Sequence, residues 1–134
     1  MNRQQHYARF VAQKLLIEKR FPIFHCHLRH GVLECVGTMA PTEHSDSYTI
    51  RIRHTEWGIP EVRVVNPVIK PDSKFHMYRD GSLCLYHPKT QPWLSTANLH
   101  ETIIPWTAEW LVYYELFQTE GKWLGVEAPH DCSN

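Results

Sequence analysis

The chain has 134 residues, 43% hydrophobic and 21% charged, proportions that suit a single domain over residues 1–134 with a real core and exclude a disordered chain. Its 14 basic and 14 acidic residues cancel, which removes nucleic acid and the membrane surface from the expected partners. No apolar run reaches the length of a membrane span and MNRQQHYARF lacks the apolar stretch of a signal peptide, so the cytosol is the expected compartment.

From Gln4 to Lys19, Tyr7, Val11 and Leu15 recur four apart, with Ala8, Phe10 and Ile17 broadening the stripe and basic residues at the end. This predicts an amphipathic N-terminal helix, broken at Phe21-Pro22 because the residue before proline is pushed out of the helical region. FHCHLRHGVLECVGTM follows, with strand-forming residues on both sides of His30-Gly31, where glycine supplies the positive φ of a tight hairpin. A two-residue loop sets Cys26 opposite Cys35; another loop length shifts the register and removes that pairing. The pair reads either as two small buried thiols or as a redox switch or half a metal site.

SYTIRIRH alternates, with Tyr48, Ile50 and Ile52 on one face and Thr49, Arg51 and Arg53 on the other, the pattern of a half-exposed strand. PEVRVV predicts a fourth strand ended by Asn66-Pro67, and the four lie close enough in sequence for an antiparallel meander. NPVIKPDSKF, with two prolines and little periodicity, opens a long ordered loop of the kind that carries function. After Pro92-Trp93 a short helical turn is expected over Ala97 to Ile103, then a longer helix with Pro105 at its first position and Gly121 at its end. Trp106, Trp110, Tyr113, Tyr114 and Phe117 recur along it at helical spacing, expected as the layer that covers one face of the sheet. Helix, meander, loop and helix in this order make the fold class α+β.

The four cysteines, Cys26, Cys35, Cys84 and Cys132, are too scattered for a secreted disulfide framework and are expected as reduced thiols. Ten histidines raise the question of a metal, yet no Cys-x-x-Cys or His-Glu-x-x-His spacing is present. Neither a metal nor a cofactor is expected, and a zinc site from Cys26, Cys35 and nearby histidines is the weaker alternative.

Within HMYRDGSLCLYHP, from His76 to Pro88, the Asp80-Gly81 turn delivers Cys84 between Leu83 and Leu85. Those leucines can anchor the segment while the sulfur points the other way. A thiolate is a strong nucleophile, and a thioester on it stays reactive toward amines, so acyl transfer is the chemistry that fits. It needs a donor for the developing oxyanion and help in deprotonating the amine, for which His76 and His87 are the nearest groups. From spacing alone either histidine is equally readable as a surface residue, and Cys84 as a buried structural thiol.

Helix, four-strand meander, extended loop, Cys-Leu, downstream tryptophan and crossover helix together resemble the ubiquitin-conjugating enzymes, and the likeness spans roughly Leu33 to Gln118. The family pattern resembles His-Pro-Asn-x-Tyr-x-x-Gly-x-x-Cys-Leu; here Tyr78, Gly81, Cys84 and Leu85 match in register, and Trp93 lies near the family's tryptophan. Lys74-Phe75-His76 stands where that pattern has His-Pro-Asn, so His76 occupies the place of the asparagine. HMYRDGSLCLY, IIPWTAEWLVYYE and GKWLGVE are similar to the bacterial conjugating-enzyme relatives of antiphage CBASS operons, which encode a cGAS-like nucleotidyltransferase.

The resemblance implies a UBC-like fold and an acyltransferase. Cys84 is then the catalytic nucleophile, carrying an activated protein C-terminus as a thioester, and His76 aids the oxyanion or orients the loop. The implied partners are a cGAS-like nucleotidyltransferase or a ubiquitin-like protein, an activating enzyme, and protein targets that offer a lysine. A role for His130 near the site is a further expectation, beside the plain reading of a solvated histidine. The rival is a catalytically inactive UBC-fold binding module that regulates a partner and merely retains Cys84.

Overall fold

A computed structural model describes residues 2–86 and 93–125. The chain runs α1 (Arg3–Arg20), β1 (Phe24–Arg29), β2 (Val32–Met39), β3 (Tyr48–Thr55), β4 (Glu61–Asn66), a 3-10 turn (Ser73–Phe75) and α2 (Ile103–Glu120). No helix among the described residues is long and apolar enough to cross a membrane.

α1 starts where the sequence offers a capping box: Asn2 Oδ1 accepts from the Gln5 amide at 2.8 Å and Gln5 Oε1 accepts from the Asn2 amide at 2.8 Å, satisfying two of the helix's orphan donors. Its buried face is Phe10, Gln13 and Ile17. Of the expected stripe, Phe10 and Ile17 lie on that face, whereas its Tyr7, Val11 and Leu15 line does not: Tyr7 and Leu15 are 62% and 60% exposed. A shift of one residue turns a helix face by roughly 100°, and here a polar side chain decides the rotation. Gln13 is 3% exposed, donates to Asn98 Oδ1 at 2.9 Å and accepts from the Leu99 amide at 2.8 Å. A buried amide with its partners made is tolerated in a core, and apolarity alone gives no sign of it.

The strands form one antiparallel sheet in the order β1-β2-β3-β4. His30 and Gly31 both have positive φ, 51° and 74°, the two-residue turn whose twist matches a hairpin, so Cys26 does face Cys35. Alternation then sorts the sheet: Phe24, Cys26, Leu33, Cys35, Tyr48, Ile50, Ile52 and Val62 are buried in a core shared with both helices. His25, His27, Arg53 and Thr38 lie on the open face. Cys26 and Cys35 are free thiols. The neighbouring Cys26 thiol, then burial, pushes the Cys35 thiol far up, which makes Cys35 a poor nucleophile. Strand alternation also sends His25 and His27 to the opposite face, so the zinc alternative loses its ligands.

Within Ala97 to Ile103 the expected helical turn is a single one, the Asn98 carbonyl accepting from the Glu101 and Thr102 amides at 3.1 Å each, preceded by a tighter turn from Leu94 to Ala97 at 2.8 Å, while Asn98 and Leu99 bond to α1. α2 begins at Ile103, which puts Pro105 in its first turn, where no intrahelical donor is needed. Gly121 ends it at φ 73° with its N–H on the Phe117 carbonyl, the left-handed cap that glycine accepts without strain. Of the aromatic stripe only Trp110 is fully inside, 3% exposed. The others reach both the sheet and the loop after β4: Tyr114 meets Tyr48 of β3 edge-on and, with Phe117, Phe75, while Trp106 leans on Tyr86 and Tyr113 on Trp123 beyond the helix.

Candidate functional site

Beyond β4 the chain enters the 3-10 turn, whose start is capped by Asp72 Oδ1 on the Lys74 amide at 2.9 Å. His76 follows in the left-handed region, φ 53° and ψ 56°, a conformation that only glycine adopts at no cost and that asparagine and histidine tolerate better than most. The chain then folds back on itself. Met77 and Leu83 form an antiparallel bridge, Tyr78 donates to Ser82 O at 2.9 Å and the Cys84 amide donates to His76 O at 2.8 Å.

The tip of this small hairpin is locked by charge. Asp80 Oδ1 accepts from the Ser82 hydroxyl at 2.6 Å and amide at 2.8 Å. The Ser82 hydroxyl first, then its amide, hold the Asp80 carboxyl below the usual range, with Arg63 adding to the effect. Arg63, itself held by Glu61 Oε1 at 2.6 Å, donates to the Asp80 carbonyl and lies 3.6 Å from its carboxylate. Gly81 sits at φ 92° beside it, and a Cβ there would lie 3.0 Å from the Arg63 guanidinium, so the turn requires glycine on both counts. The Leu83 amide donates to Val62 O at 2.8 Å, which fastens the hairpin to the open edge of β4.

From the other side, α2 reaches the same backbone. The Trp110 indole N–H donates to Phe75 O at 2.8 Å and His76 O at 3.2 Å, so the His76 carbonyl receives both the Cys84 amide and the Trp110 indole. The His76 imidazole stacks on Trp123 with centroids 4.7 Å apart and planes at 16°. Both rings line an open cleft of about 660 Å³ together with Asp72, Lys74, Phe117 and Lys122.

The structure therefore places the two expected site residues on adjoining strands of one hairpin, joined backbone to backbone. Cys84 is 5% exposed, and its Sγ lies 3.8 Å from Tyr86 O. Contrary to the expectation of reduced thiols throughout, Cys84 is disulfide-bonded; a sulfur so bonded has no thiolate, and reduction must precede any nucleophilic role. His87, His130 and Cys132 lie outside the described residues. Among the described residues no cluster of three or more histidine, cysteine or acidic side chains is placed to hold a metal ion.

Arg63 was not expected at the site, and neither were the particular bonds that Asp80 and Trp110 make there. Asp80-Gly81 was legible as a turn, but the guanidinium that locks it comes from β4, and the role of Trp110 rests on one indole nitrogen that an amphipathic pattern does not register. Among known proteins, residues 13–131 match the family model described as Type II CBASS E2 protein. No curated protein matches the chain.

Proposed function

The chain belongs to the type II CBASS E2 family, conjugating-enzyme-like proteins of CBASS antiviral defence with a UBC fold and a thioester-based role, and from that premise we propose that Cys84 is the residue that carries the thioester. The observation that supports this most is the construction of its loop: Asp80, Gly81, Arg63, Val62 and Trp110 all hold the short hairpin that presents Cys84 beside His76. A buried structural thiol needs no such scaffold, whereas a reacting atom does.

In the reaction, the reduced Cys84 thiolate attacks the activated C-terminal carboxyl of a protein, forming an S–C bond as the activating group leaves. The neutral amine of an acceptor lysine then attacks the same carbonyl; an N–C bond forms, the C–S bond breaks, the nitrogen gives up a proton to solvent, and the thiolate returns. His76 supplies a ring N–H to the carbonyl oxygen while it bears negative charge. The family works with components of the CBASS pathway, and the cargo that fits this reading is the C-terminus of a cGAS-like nucleotidyltransferase, with a ubiquitin-like protein as the other form of cargo. An activating enzyme must deliver it, because no described segment is a glycine-rich phosphate loop.

The test is intact-mass analysis after incubation with the nucleotidyltransferase, the activating machinery and ATP. A phosphine reductant is used, since it frees Cys84 without cleaving thioesters as a thiol would. A cargo adduct that dithiothreitol removes and that Cys84→Ala never forms is the expected result. Partner binding with no adduct at any time would instead leave an inactive UBC-fold module.

A further inference from the structure

The segment after α2 is built to deliver one ring. Gly121 at φ 73° turns the chain back at the helix end, and Trp123 lands flat on His76, 4.7 Å away. Gly125 then passes so close that a Cβ there would lie 2.8 Å from the Tyr113 ring and 3.0 Å from Trp123 Nε1. Both glycines of Gly121-Lys122-Trp123-Leu124-Gly125 thus have a geometric reason, and both serve the seat of the tryptophan between them. Trp123 is further wedged by Trp110 at 5.7 Å and Tyr113 at 5.8 Å.

We propose that Trp123 is a positioning residue for transfer: its indole face fixes the plane of the His76 imidazole and so the direction of the ring N–H that meets the thioester carbonyl. The role rests on the conjugating reading and adds to it a residue outside the hairpin. The His76 backbone is fixed by the Cys84 amide and Trp110, and the stack on Trp123 bears on the ring torsions. Terminal torsions of histidine are broad and intrinsically soft, and a parallel stack narrows them. A neutral imidazole has one donor, so a ring turned away offers the oxyanion nothing.

The experiment compares the full chain with Trp123→Leu and Trp123→Phe. In proton–carbon spectra of the histidine rings, assigned with His76→Asn, the His76 protons are expected upfield in the wild type through the ring current. They move downfield in Trp123→Leu and lie between in Trp123→Phe. With Cys84 charged beforehand and lysine added, Trp123→Leu is expected to slow transfer roughly two- to tenfold, the worth of one aromatic pair, with Trp123→Phe recovering most of the rate. Should Trp123→Leu not fold, the intermediate shift and rate of Trp123→Phe carry the test. Wild-type shifts or wild-type transfer in the variants overturn the role. A wild-type chain that never charges overturns the conjugating reading and this role together, whereas one that charges and transfers regardless of Trp123 overturns this role alone.

Discussion

Trp110→Phe removes one nitrogen and part of one ring from beneath the hairpin. The Phe75 carbonyl accepts only from the Trp110 indole among the described residues, at 2.8 Å, whereas His76 O keeps the Cys84 amide. Losing the donor to a carbonyl at the packed base of the loop costs about 1–3 kcal/mol. The smaller ring at a site 3% exposed adds roughly 1 kcal/mol of lost packing. The sum, about 2–4 kcal/mol, is a large share of the 5–15 kcal/mol typical of a domain but leaves it folded at room temperature. Urea unfolding followed by far-UV circular dichroism should show the midpoint falling with an unchanged slope. Amide exchange should show the Cys84 N–H losing protection more than the β2 and β3 amides, because the residue that accepts it has lost its second tie. A variant within about 0.5 kcal/mol of wild type, with Cys84 exchange unaltered, would refute the view that α2 holds the loop through this nitrogen.

Three further outcomes are expected. His54 lies against Phe10 and Trp93 and burial pushes its imidazole down to about 4 from 6.5, so the unfolded chain binds the proton more readily. Stability should therefore be lost as pH falls from about 6.5 toward 4, by about 2 kcal/mol at pH 5 and about 3 kcal/mol in full; urea midpoints at pH 7 and 5 should show it, and His54→Phe should remove most of the difference. At the left-handed position 76, His76→Asn should keep both stability and transfer, since asparagine accepts this backbone and brings a donor. His76→Val should lose about 1–3 kcal/mol in the same unfolding assay. His76→Ala, read by single-turnover transfer from charged Cys84, should fall by about 100-fold if its N–H meets the oxyanion, and an undiminished rate would remove that role.

Local rules carried much of this architecture. The turn at His30-Gly31, the alternation of Tyr48, Ile50 and Ile52, and the glycine after α2 are each decided by neighbours in sequence, and each appears in the structure as read. What escaped was decided at a distance. The rotation of α1 is set by Gln13 bonding to residues beyond the meander. Around the candidate site, the Asp80-Gly81 turn was legible from spacing, whereas the choice of Cys84 over a buried structural thiol, and of His76, came by likeness to a family pattern. The supports Arg63 and Trp110 come from β4 and α2, which become neighbours of the hairpin only after folding.

The bonds between Gln13 and Asn98 and Leu99 span 85 and 86 residues, and synthesis gives that span a duration. At ribosomal rates of about 5–20 residues per second, the Gln13 amide is made about 4–17 s before the backbone that satisfies it. During that interval α1 has a polar group on the face it must bury and no partner for it. The helix can form early from its own capping box, yet it cannot settle against the sheet in its final rotation until the segment before α2 has left the ribosome. By then the Cys84 hairpin is already complete in sequence, so docking of the first helix and assembly of the site fall at the same late moment in the life of the nascent chain.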